Sequence, residues 1–292
     1  MKAGILLPGD RELASSLGLA TRRRYAGLAA GEQRSPAVGG GIEFADYREY
    51  LPGDDPRAVD WAVYRRLGKL LVRICAEERE LTLMILLDAS RSMDHGEPGK
   101  LGHARRLACI LAGIAIGGGN RAGLCSLGPG LIEALRPERG KASLEGFEGA
   151  CARLLPLAEF RPAEALDGFV ARYGRRCVAV LISDLMFPEW PQVLGALASS
   201  GCEAQVLQVL SRDELDPAVR GETTFVDAET MREAPIHADA ATLMRYANEL
   251  EGFLGSVRRT CGGLGLGWAL APTDGDVARL FRDELCEGGF LC

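Results

Sequence analysis

The chain has 292 residues, 47% of them hydrophobic and 25% charged, which is enough apolar surface for a packed core and excludes a disordered chain. Its net charge of −6 is unevenly placed: residues 1–80 carry 13 Lys and Arg against 12 Asp and Glu, and residues 81–292 carry 21 against 28. Phosphate binding needs a concentrated basic face, so nucleic acid is not an expected partner; the single basic run, Arg22-Arg23-Arg24, reads as a solvated turn.

The first segment, MKAGILLPGDRE, meets Pro, Gly and charge too early for a signal peptide, and a cytoplasmic location is expected. Up to residue 80 the chain is punctuated by Gly and Pro and dense in both charge signs, with Gly39-Gly40-Gly41 as a flexible entry to a charged block. From Leu81 an α/β pattern takes over. The run LTLMILL has strand length, and Ala104, Leu107, Ala108, Leu111, Ile114 and Ala115 fall at helical spacing over Lys100–Ile116, which ends in the turn Gly117-Gly118-Gly119-Asn120. That helix contains the longest apolar run, Leu107 to Ile116, which is too short to cross a bilayer.

Residues 122–127 and 131–135 read as a strand pair around Gly128-Pro129-Gly130. One helix follows with Leu144, Phe147, Cys151, Leu154 and Leu155 on one face, then a second with Leu166, Phe169, Val170 and Tyr173. CVAVLI (177–182) is a second fully apolar strand, followed by a helix over 192–199 and strands over 204–210 and 223–226. Leu243, Tyr246, Ala247, Leu250, Phe253, Leu254 and Val257 form a long amphipathic stripe. A strand over 264–270 and a final helix capped by Thr273 or Asp274 complete the chain. The expected architecture is α/β, a doubly wound and mainly parallel sheet over 81–292, with an N-terminal extension over 1–80.

Nine cysteines, odd in number and without C-x-x-C spacing, read as reduced core thiols, so neither a disulfide framework nor a zinc site is expected. Gly263, Gly265 and Gly267 precede a strand and are not a dinucleotide loop. His95 and His103 lack a nucleophile and carboxylate at a recognisable spacing, and both are expected to be solvated loop residues.

The chemistry-bearing string is Asp88-Ala89-Ser90-Arg91-Ser92-Met93, directly after the first apolar strand. Ligands collect at the carboxyl ends of strands in open parallel sheets, and one carboxylate with two hydroxyls suits a hard cation such as Mg²⁺ better than zinc. The second apolar strand also ends in an acid, Ser183-Asp184, in position to reach the same ion. The bland alternative is that Asp88 and Ser90 cap the next helix or satisfy loop amides.

This arrangement resembles the metal-ion-dependent adhesion site of von Willebrand factor A domains. The upstream block narrows the resemblance. Glu43-Phe44, Arg48, Tyr50, Pro52-Gly53-Asp54-Asp55-Pro56-Arg57, Val59-Asp60-Trp61 and Arg65 look like the signature of domain of unknown function family 58, and the likeness covers roughly residues 20–290. It implies a von Willebrand factor A-like fold, Mg²⁺ or Mn²⁺ on Asp88, Ser90, Ser92 and Asp184, and a protein partner, a MoxR-type AAA+ ATPase or its client. The family's usual middle Thr is missing, since no Thr stands between Thr82 and Thr223; Arg161-Pro162-Ala163-Glu164 occupies that place, with Glu164 as a substitute ligand.

Taken for itself, the Asp54-Asp55, Arg57 and Asp60-Trp61 block reads as a structural latch, with Arg57 and Arg65 available for bidentate pairing, or else as a docking surface. Three functions follow: a protein-binding adaptor with a Mg²⁺-dependent site, a scaffold with a degenerate site, and a metal-assisted phosphohydrolase using Asp88. The last lacks the customary second Asp, because that position is Ser90.

Overall fold

The computed structural model describes residues 4–20, 43–76, 81–175, 177–228 and 231–292. Two compact units are present, Met1–Arg22 with Leu81–Cys292, and Arg23–Glu80. The first residues therefore belong with the larger unit, which a cut at residue 80 would not have given. Their helix α1 (Asp10–Ser16) puts Leu13 and Ala14 into the main core, and Asp10 holds Arg106 at 2.7 and 2.8 Å. The Arg22–Arg24 run and Gly39–Gly41 lie outside the described residues.

In the smaller unit, β1 (Glu43–Glu49) pairs antiparallel with β2 (Leu71–Ala76), and α2 (Trp61–Leu67) lies between them in the chain. Arg48 grips Asp54 through both guanidinium nitrogens, at 2.6 and 2.7 Å, and Asp54 also accepts the Leu51 amide. The Arg48 hydrogen bond holds the Asp54 carboxyl down to about 2. Asp55 caps the 3-10 turn Pro56–Ala58 at the Arg57 amide, where Pro56 is pre-set for the first helical position. Asp60 caps α2 through the Ala62 and Val63 amides and takes the Tyr47 hydroxyl at 2.8 Å. The latch reading thus describes Arg48, Asp54, Asp55 and Asp60. The bidentate arginine is Arg48; Arg57, on the 3-10 turn, and Arg65, on α2, are exposed. Tyr50 is half-buried, and Gly53 supplies the positive φ (108°) of the turn. Trp61 is 54% exposed and meets Tyr64 edge-on. Glu43 and Phe44 belong to β1, and the surroundings of their side chains lie outside the described residues.

The larger unit is built on a six-stranded sheet: β3 (Thr82–Asp88), β4 (Arg121–Leu127), β5 (Leu131–Glu138), β6 (Val178–Ser183), β7 (Glu203–Leu210) and β10 (Gly267–Pro272). All neighbours are parallel except the edge pair β4–β5. Strands buried on both faces need continuous apolar sequence, which is why LMILL and VAVLI carry no alternation. Leu83, Ile85 and Leu87 face a layer containing α3 (Lys100–Gly117) and α4 (Lys141–Arg153). Met84 and Leu86 face α5 (Pro162–Tyr173), α6 (Trp190–Ser199) and the end of α8 (Ala240–Leu264).

The spatial order β10-β7-β6-β3-β4-β5 is the doubly wound order of a nucleotide-binding-type sheet. Its switch point lies between β3 and β6, where Leu87 stands beside Ile182, so Asp88 and Ser183 leave the sheet side by side. This is the von Willebrand factor A-like layering expected from sequence.

Two local expectations are corrected. The strand expected over 264–270 starts at Gly267, because α8 continues to Leu264 and Gly265 closes it in the left-handed conformation. The last helix is capped by Asp276, not Thr273 or Asp274: its carboxylate accepts the Ala278 and Arg279 amides. The strand over 223–226 belongs to a hairpin whose second arm, β9 (Glu233–Ala238), pairs with β8 (Gly221–Val226). No helix among the described residues is long and apolar enough to cross a membrane.

Candidate functional site

At the carboxyl end of β3 the chain turns sharply. The Asp88 Oδ1 atom accepts the Ser90 amide at 2.8 Å, and Oδ2 accepts the Ser183 hydroxyl at 2.5 Å, so the two central strands are tied across the switch point. Ser90 and Ser92 hydroxyls are 2.9 Å apart. Asp88, Ser90, Ser183 and Asp184 are buried, while Ser92 is half-buried. Burial first, and then the nearby Asp184 charge, raise the Asp88 carboxyl to about 7.

Asp184 opens a strained turn. Leu185 is buried with a positive φ of 58°, a left-handed conformation unfavourable for a branched apolar residue. The turn is held because Ser183 Oγ accepts the Leu185 amide at 2.9 Å and Asp184 Oδ1 accepts the Met186 amide at 2.9 Å. Gln208 on β7 supports it from the side, donating to the Asp184 carbonyl at 3.1 Å.

Sequence reasoning missed the central member of the site. Lys100, the first residue of α3, buries its side chain completely and places Nζ 2.7 Å from Asp184 Oδ2 and 2.5 Å from Glu214 Oε1. Burial is the largest single effect and lowers the Lys100 pKa, but the charges and hydrogen bonds of the two carboxylates together outweigh it and leave the pKa raised. Glu214 sits in the short helix α7 (Arg212–Leu215), where it forms a reciprocal capping box with Ser211. The approach is permitted by Gly96: its φ is +91°, and a Cβ there would lie 2.5 Å from Ser211 Cβ. A signal was available in the sequence, since a lysine in a helix's first turn opposes the helix dipole and calls for an acidic partner.

Of the proposed ligands, Asp88, Ser90, Ser92 and Asp184 belong to this end of the sheet, as the string implied. Glu164 does not join their network. Its carboxylate is 63% exposed and lies 3.5 Å from Arg161, because it occupies the solvent-facing side of the first turn of α5. His103 is also not a loop residue: it is buried in α3, and burial lowers it to about 4.

The donor set does not fit a divalent ion as it stands. Both oxygens of Asp88 and both of Asp184 already receive hydrogen bonds, the hydroxyl of the middle Thr is absent, and the Lys100 ammonium already sits on Asp184. Among the described residues, no group of three or more His, Cys, Asp or Glu side chains is placed to hold a metal.

Around this closed cluster the surface turns apolar. Met186 is 38% exposed, Phe187 packs edge-on against Phe160, and Trp190 meets Phe253 of α8. With Leu185 and Pro188 they line a shallow depression beside the Asp184 turn.

Uncharacterized proteins Rv1480 of Mycobacterium tuberculosis and Mb1516 of Mycobacterium bovis are each 28% identical over 280 residues, covering 91% of this chain and 87% of theirs. Similar solved structures include the hypothetical protein BatB from Bacteroides thetaiotaomicron, with 14% identity, a TM-score of 0.44, and coverage of 71% of this chain and 98% of that one. A von Willebrand factor type A protein from Catenulispora acidiphila has 13% identity, a TM-score of 0.39, and coverage of 75% and 43%. The model of the family described as protein of unknown function DUF58 matches residues 46–251, and the chain belongs to that family.

Proposed function

We propose that this protein is a non-enzymatic binding module that engages a protein partner through the loops at the carboxyl ends of β3 and β6. The observation that carries this reading is the apolar lip of Met186, Phe187 and Trp190 around a charged cluster sealed from solvent. A buried charged cluster stiffens the loops, and the exposed Met186 with the half-buried rings of Phe187 and Trp190 beside it supplies contact area. The partner class is a MoxR-type AAA+ ATPase or its client, as the family resemblance implies, and the working compartment is the cytoplasm. A phosphohydrolase reading is disfavoured, because Asp88 is fully buried with both oxygens engaged and offers no open path to a phosphoryl group.

The test is biolayer interferometry with the purified MoxR-type ATPase of the same organism. Met186→Glu is expected to weaken binding at least tenfold, about 1.4 kcal/mol. Leu264→Glu, where α8 ends ahead of the amino end of β10, is expected to leave it unchanged. Equal binding by both variants, or none by the wild type, would refute the proposal.

A further inference from the structure

We infer that Lys100 is the resident cation of the switch-point cluster, doing with an ammonium what a divalent ion does in a metal-dependent site, so that this protein's site works without metal. The ammonium is wholly enclosed and bridges two carboxylates that arrive from different strands, Asp184 from the end of β6 and Glu214 from the turn after β7. Neither carboxylate is free to turn elsewhere: Asp184 Oδ1 is held by the Met186 amide, and Glu214 Oε2 by the Ser211 amide. An enclosed lysine bridging two loops performs the two services of a bound ion, since it neutralises the acids and fixes the loops that carry them. A cation in the first turn of a helix opposes the helix dipole, so the two carboxylates that hold it there offset that cost as well as the cost of burial.

The missing Thr fits the same account. A hydroxyl ligand is needed only where an ion must be coordinated, and here Glu164 stays in solvent beside Arg161. A divalent ion entering among Asp88, Ser90 and Asp184 would be repelled by the ammonium already seated on Asp184. Lys100 is also linked outward: Tyr246 on α8 donates its hydroxyl to the Glu214 carbonyl at 2.6 Å, so the cation braces β6, β7 and α8 together.

The inference deepens the binding-module reading and adds that partner engagement is insensitive to chelator. Its test needs no partner, so failure of either idea is seen separately. EDTA-stripped protein is titrated with Mn²⁺, and free Mn²⁺ is followed by electron paramagnetic resonance. Wild type is expected to take up none at the site, and Lys100→Met to take up one equivalent that is lost when Asp88→Asn is added.

Uptake by wild type that Asp88→Asn abolishes would overturn the inference, as would a folded Lys100→Met protein that binds no Mn²⁺. If Lys100→Met does not fold, the wild-type thermal midpoint decides. An unchanged midpoint with Mn²⁺ or EDTA supports the inference, and a Mn²⁺-dependent rise lost in Asp88→Asn overturns it.

Discussion

Lys100 Nζ lies 2.7 Å from Asp184 Oδ2 across 84 residues of sequence, and both side chains are excluded from solvent. Removing one member of such a pair leaves a buried charge uncompensated. Lys100→Met is therefore expected to destabilise the protein by about 3–5 kcal/mol, read from urea unfolding. Loss below about 1 kcal/mol would show that the pair is not sealed as described.

The Asp88 carboxyl sets a pH dependence. Burial raises it from 3.8 to about 7, so the folded state favours the protonated acid. The stabilising contribution is fully present below 3.8 and is lost as pH rises through about 7. Asp88→Asn cannot titrate there, so wild type is expected to lose stability relative to it across that window. A wild-type-to-variant difference that is constant with pH contradicts this assignment.

Gly96 makes the turn that brings Lys100 to Glu214. Gly96→Ala places a Cβ 2.5 Å from Ser211 in a backbone conformation that alanine resists, with an expected loss of about 1–3 kcal/mol. Hydrogen exchange should quicken at the Glu214 amide, which the Ser211 hydroxyl holds. Unchanged protection there would argue against the contact.

Much of this was legible in the chain, and the reasons differ by element. LMILL and VAVLI announce doubly covered parallel strands by lacking alternation, and the acids that follow them mark the switch point. The second arm of the hairpin was not legible: Glu233–Ala238 is mostly exposed and contains Pro235, so it carries no buried face to create a pattern. Lys100 escaped because the local signal, a lysine in the first turn of a helix, calls for an acidic partner without naming it, and its partners are 84 and 114 residues away. Arg48 escaped likewise among several arginines, since only the turn at Gly53 selects it as the partner of Asp54.

A thiol pair offers an independent check on the packing of β6 against β7. Cys177 and Cys202 sulfurs are 3.3 Å apart, and the hydrogen bond from Cys177 lowers the Cys202 thiol to about 6. Iodoacetamide at neutral pH is expected to label Cys202 before the more exposed Cys292, as read by peptide mass spectrometry. Faster labelling of Cys292 would contradict the geometry.

The most direct test of a lysine in the place of a metal is a crystal structure of the wild-type protein soaked in Mn²⁺, with anomalous data collected at the manganese edge. The account predicts no anomalous peak within bonding distance of Asp88 or Asp184, and Lys100 Nζ in contact with Asp184 and Glu214. A manganese peak bound by Asp88, Ser90 and Ser92, with the Lys100 ammonium displaced, would contradict it.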